Sequence, residues 1–206
     1  MQKVAVFDLD GTLIDSKKLY IDTIHHSLLE HYFVYPKSHV SRALGPKLET
    51  TLANINKFSP KTLKILKNEI NRDIAKKASR IKLTPYARQA LQKLKKNRFK
   101  IILLTNSAKR FATEILNKNK ISKYFNQLYY AEKFARKEDA IKAIAKKYKT
   151  KSVVYVADKR ADVKIAKKAG CRIIIALAKS WDRKKLEGKK YSIRSLRDLA
   201  GSLSLK

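Results

Sequence analysis

The chain has 206 residues, 44% of them apolar, enough for one sizeable α/β domain or a smaller one carrying an insertion, with no sign of a tandem arrangement. Lys and Arg number 49 against 17 Asp and Glu, and the resulting charge of +32 favours polyanions and speeds encounter with phosphorylated substrates. The single cysteine, Cys171, excludes an intrachain disulfide, and no apolar run approaches the length of a membrane span.

Met1-Gln2-Lys3 leads straight into an apolar run, so the expectation is a soluble, cytoplasmic protein without a signal sequence. Cys171 lies close to Ile173 and Ile174 and reads as a small core residue, not a redox centre. The lysines outnumber the arginines about threefold and are spread along the whole chain, mostly on polar helix faces. The charge is therefore read as a compositional bias in preference to a dedicated nucleic-acid surface, while non-specific polyanion binding stays physically open.

The first predicted element is a short buried strand, Val4-Ala5-Val6-Phe7, with Asp8-Leu9-Asp10-Gly11-Thr12-Leu13 at its mouth. A fold has no need of two acids there. Two carboxylates one residue apart, followed by a glycine turn and a hydroxyl, can bind a divalent cation while one of them attacks phosphorus. Residues 17–80 then hold only helical patterns, such as Leu19, Thr23, His26 and Leu29, and later Leu63, Leu66, Ile70 and Ile74. Beyond them, strands are expected at 101–104, 153–156 and 173–177, with a weaker one at 128–131. Helices are expected at 87–95, 108–116, 139–148 and 161–168. Strand-helix alternation implies right-handed crossovers and an α/β fold built on a doubly wound, parallel, Rossmann-like sheet. Residues 1–16 and 81–206 would form this core, and 17–80 a helical insertion.

Every polar cluster of interest follows an apolar strand, where ligands bind in doubly wound sheets. After 101–104 comes Thr105-Asn106-Ser107; after 153–156 comes Ala157-Asp158-Lys159-Arg160-Ala161-Asp162, with Ala166 and Ala169-Gly170 at helical spacing beyond. With the first segment, these resemble the first, second and fourth motifs of the haloacid dehalogenase-like superfamily of aspartate-nucleophile phosphatases. Residues 43–49 look like the turn and helix found in caps of its phosphoglycolate phosphatase-like branch, and 181–199 like that branch's terminal strand and helix. Ala157 departs from the family's glycine, and its methyl would tighten a metal pocket.

The resemblance implies roles. Asp8 would be the nucleophile and Asp10 the acid and base. Mg²⁺ would be held by Asp8, the Asp10 carbonyl and Asp158, with Asp162 acting through a bound water. The amides around Leu9 and Asn106, with Thr105 and a lysine, would hold the phosphoryl group. That lysine is assigned to Lys137, at a helix start, in preference to Lys133, which matches a longer spacing but lacks the proline expected after it. The helical insertion would be a cap that excludes water. A small phosphorylated metabolite is the expected substrate and no membrane partner is expected, while Lys17, Lys18 and Lys47 could attract an anionic leaving group or be solvated. A phosphosugar mutase of the same superfamily is the alternative enzyme, and a nucleic-acid-associated phosphatase or binder the alternative class. His25, His26, His31 and His39 form no metal-ligand set with cysteines, and Trp181 and the ten tyrosines read as packing residues.

Overall fold

Val4–Phe7 forms β1, and all four of its side chains are buried, as an interior strand of a parallel sheet requires. The computed structural model describes residues 2–45, 47–180 and 182–204; Pro46 and Trp181, both part of the motifs read above, lie outside the described residues. β1 pairs in parallel with β2 (Lys100–Leu104) on one side and β4 (Val153–Ala157) on the other. β3 (Gln127–Tyr129) extends the sheet beyond β2, and β5 (Arg172–Ala176) and β6 (Ser192–Ile193) extend it beyond β4. Strand order is therefore β3-β2-β1-β4-β5-β6, and its direction of growth reverses beside β1, which makes the carboxyl ends of β1, β2 and β4 the crevice for a ligand.

The chain divides into two compact units, residues 1–15 with 81–206 and residues 16–80. Among its described residues the second unit holds four α-helices, α1 (Lys17–Glu30), α2 (Lys37–Ala43), α3 (Leu48–Ile55) and α4 (Pro60–Lys77), and a closing 3₁₀ turn at Ala78–Arg80. The start of α4 follows from its sequence: Ser59 accepts a hydrogen bond from the Thr62 amide, and Pro60 occupies the first turn, where its missing N–H costs nothing. Leu66, Ile70 and Ile74 recur every four residues and form its buried stripe.

In the first unit α5 (Ala87–Lys96), α6 (Lys109–Lys118), α7 (Lys137–Lys147) and α8 (Arg160–Ala169) lead into β2, β3, β4 and β5 respectively. Side chains two apart on the strands share a face, so Val4 and Val6, Ile102 and Leu104, and Val153, Tyr155 and Ala157 join Ile141 and Ile144 of α7 in one buried cluster. α8 ends at Gly170, whose φ of +68° closes the helix in the left-handed conformation.

α7 begins at Lys137, as expected from its place at a helix start, although the apolar periodicity begins two residues later, since a buried lysine does not register in a hydrophobic pattern. β3 ends at Tyr129, and Ala131–Lys133 winds into a single 3₁₀ turn. The terminal segment adds α9 (Arg183–Leu186), the two-residue β6 and α10 (Leu199–Ser202). Among the described residues no helix is long and apolar enough to cross a membrane.

Candidate active site

The segment after β1 turns back on itself because Gly11 takes φ +77°, a conformation open to a residue without a Cβ. The amides of Leu13 and Ile14 both donate to the Leu9 carbonyl, and the Gly11 amide donates to Ile14. This closed loop leaves Asp8 and Asp10 at the carboxyl end of β1, both buried, with the Asp8 amide tied to the Val156 carbonyl of β4. A Cβ built on Gly11 would lie 2.6 Å from Cγ of Asp158, so the glycine is also what lets Asp158 approach the loop.

Asp158 follows β4 and is fully buried, and Asp162 lies at the third position of α8, where its Oδ2 accepts from the Lys159 amide. That bond satisfies an amide at the helix start, and the other oxygen of Asp162 faces the cluster. Oxygens of Asp8, Asp158 and Asp162 lie within 4.8 Å of one another, a set of hard donors that fits a divalent cation.

Lys137 enters from the start of α7. Its Nζ lies 2.9 Å from Asp8 Oδ2 and 3.8 Å from Asp162 Oδ1, with the side chain only 5% exposed. Burial opposes its charge, but the Asp8, Asp162 and Asp158 carboxylates outweigh that and hold its pKa above the ordinary lysine value. Lys133 is placed elsewhere: its ammonium donates to the Leu128 carbonyl and lies over the Tyr130 ring.

One member of the cluster was not anticipated. The Tyr155 hydroxyl accepts from Lys137 Nζ at 2.9 Å and donates to Asp162 Oδ1 at 2.8 Å. Burial and the Asp162 and Asp8 carboxylates push this phenol well above its usual range, so it stays a donor. Burial likewise raises the Asp162 carboxyl against the pull of Lys137. In Val153-Val154-Tyr155-Val156 the tyrosine reads as one more core residue; the available signal was a hydroxyl on a strand otherwise without polar groups.

At the end of β2, Thr105 is buried and its Oγ1 accepts from the Ser107 amide, while Asn106 is half-buried. The Ser107 hydroxyl donates to Asp10 Oδ2 at 2.5 Å and so ties the β1 and β2 segments together across the crevice. Ser107 stood inside the Thr105-Asn106-Ser107 motif, although no role had been attached to it. The Leu9 amide, expected to face phosphate, donates to Asp8 Oδ1 at 2.8 Å. Both oxygens of Asp8 are thereby oriented, one by Leu9 and one by Lys137. Of the histidines, His31 pairs with Glu69 at 2.7 Å and His39 stacks on Tyr35. In the same unit Lys18 and Lys37 share Asp22, each at 2.6 Å.

A family profile described as haloacid dehalogenase-like hydrolase matches residues 5–176. A phosphoglycolate phosphatase of Aquifex aeolicus is 26% identical over 186 residues, covering 85% of this chain and 84% of its own length. The pyrophosphatase PpaX of Bacillus thuringiensis is 29% identical over 122 residues, 59% of this chain and 56% of PpaX, so the chain spans little more than half of that relative. Among solved structures, a predicted phosphatase from Clostridium acetobutylicum superposes with a TM-score of 0.84 at 23% identity, covering 99% of both chains. A match over most of the chain, on a fold that places a buried carboxylate cluster at the sheet crevice, makes this protein a member of the haloacid dehalogenase-like hydrolases, with phosphatases among its relatives.

Proposed function

We propose that the protein is a Mg²⁺-dependent phosphomonoesterase acting on a small, phosphoglycolate-like phosphorylated metabolite through an aspartyl phosphate on Asp8. The observation that carries this reading is the buried pairing of Lys137 with Asp8 at 2.9 Å, inside a group of three carboxylates at the crevice of the sheet. Three buried acids around one lysine leave two negative charges uncompensated, which stability alone does not favour, and a bound dication would balance them.

The donor set fits the metal. Its donors are all oxygens, carboxylates with one backbone carbonyl, and the loop glycine leaves the space that a Cβ would fill against Asp158. Asp8, the Asp10 carbonyl and Asp158 would hold Mg²⁺, with Asp162 behind them. The chemistry it supplies when bound is neutralisation of the phosphate charge and alignment for in-line displacement.

The remaining steps belong to the chain's own residues. With one carboxylate oxygen held by Leu9 and the other by Lys137, Asp8 presents a fixed plane to phosphorus. Its oxygen forms the new P–O bond while the ester P–O bond breaks, and protonated Asp10 gives its proton to the departing alkoxide. Asp10, now ionised and steadied by Ser107, takes a proton from water as that water attacks phosphorus and frees Asp8. Thr105, Lys137 and the Asn106 amide would carry the charge on the equatorial oxygens. In this reading residues 17–80 are the cap that keeps bulk water from the intermediate.

The test is hydrolysis of p-nitrophenyl phosphate followed by a metabolite panel, each with and without Mg²⁺. Mg²⁺-dependent release that disappears in Asp8→Asn supports the proposal; activity that is indifferent to both sinks it.

A further inference from the structure

The sheet is wholly parallel, so β1 to β5 all begin at one end of the first unit and the helices before β2 to β5 finish there, whereas β6 enters further up, with Ser192 opposite Ile175. That end, remote from the carboxylate cluster, is made of residues 2–3, 93–100, 117–126, 145–153 and 167–172. These five segments carry sixteen Lys and Arg and not one Asp or Glu. Fifteen of the sixteen are exposed, Lys100 alone being half-buried, and among the described residues none of them forms an ion pair. The other end carries both signs: Asp8, Asp10, Asp158, Asp162, Glu138 and Asp139 sit there with Lys109, Arg110, Arg136, Lys137, Lys159 and Arg160. The unit is therefore polar along its strand axis. Helix dipoles favour cations at helix carboxyl termini and account for residues such as Lys146 and Lys147. They do not account for the loop residues Arg98, Lys120, Lys149 and Lys151.

We propose that this end is a docking surface for the phosphate backbone of double-stranded nucleic acid, read without regard to sequence. Fourteen of the sixteen cations are lysines, which meet phosphates as point charges and lack the fork that reads base edges. The exposed large apolar residues, Leu29, Tyr32, Val34, Ile65 and Tyr86, all lie outside these segments, so the surface offers neither stacking platforms for single strands nor wedges for a lipid bilayer. The strands from β3 to β5 span about 20 Å at ~4.8 Å each, a length over which a duplex carries about twelve charges, roughly half of them on the side facing the protein. About six phosphate contacts give a slope near −5 in log K against log salt.

The experiment measures binding to 30-base-pair DNA and RNA duplexes of mixed sequence by fluorescence anisotropy from 50 to 300 mM salt. It compares the full-length protein with two variants of equal charge. The first carries Lys146→Gln, Lys147→Gln, Lys149→Gln and Lys151→Gln; the second carries Lys61→Gln, Lys64→Gln, Lys184→Gln and Lys185→Gln. Hydrolysis of p-nitrophenyl phosphate and circular dichroism report that each variant is folded. The expected result is a slope about three smaller in the first set, with affinity at least tenfold weaker at 150 mM salt, and near-parental binding in the second. Equal losses in both sets would show the charge to be spread without a site and overturn the proposal. So would tighter binding to phosphatidylserine vesicles than to either duplex, or a parental slope shallower than about −2.

Discussion

Replacing Tyr155 with Phe deletes one oxygen and leaves the ring that fills the core between β4 and α7. The oxygen makes two charge-assisted bonds, accepting from Lys137 at 2.9 Å and donating to Asp162 at 2.8 Å, in a region closed to water. Bonds to charged groups contribute about 1.5–3 kcal/mol each, but Lys137 keeps Asp8, and Asp162 keeps the Lys159 amide. The net cost should therefore be about 2–3 kcal/mol, not the sum of two full bonds. Urea unfolding followed by circular dichroism should show a lower midpoint at unchanged slope, and a melting temperature about 4–12 °C lower. Turnover should fall about tenfold, with KM within twofold, because Lys137 loses a positioning partner without leaving the site. A stability change under 0.5 kcal/mol together with parental kcat would show that the hydroxyl orients nothing, and the reasoning about this cluster would fail.

Other outcomes follow from the same geometry. Gly11→Ala places a methyl against Asp158 and imposes about 1–2 kcal/mol of left-handed backbone strain, so the Mg²⁺ concentration for half-maximal activity should rise at least tenfold in a metal titration. An unchanged titration would show that the loop does not shape the metal site. Burial pushes the Cys171 thiol up to about 11. Iodoacetamide should therefore alkylate the native chain far more slowly at pH 8 than the urea-unfolded chain. A thiol raised in the folded state adds stability that is fully present below its ordinary value near 9 and is lost as pH climbs towards 11; Cys171→Ala should flatten that part of the stability profile. Leu66→Ala empties a fully buried position on α4 and should cost about 2–5 kcal/mol by denaturant titration, with a near-zero change contradicting the packing of that helix.

The sequence made some of this site readable and hid the rest. Asp8 and Asp10 were visible because two acids and a glycine directly follow four apolar residues, and Asp158 and Asp162 because a strand again ends in acids spaced by one helical turn. The alternation of strands and helices made the sheet legible, since each period reflects local burial. Lys137 could be narrowed only by its place at a helix start. Its contact with Asp8 spans most of the chain, and in a protein with 49 basic residues no local pattern separates a buried lysine from a solvated one. Tyr155 was hidden for the opposite reason, since its ring satisfies the strand pattern and conceals the hydroxyl. The polarity of the core was hidden too: the lysines look evenly scattered along the chain, and only the parallel sheet gathers five separate segments at one end.

The central claim is that Asp8 becomes covalently phosphorylated. Rapid acid quenching of the enzyme with ³²P-labelled substrate and Mg²⁺, followed by peptide mapping, tests it most directly. The account predicts a hydroxylamine-labile label on the peptide containing Asp8, absent from Asp8→Asn. Turnover without any label on that peptide, persisting in Asp8→Asn, would contradict it.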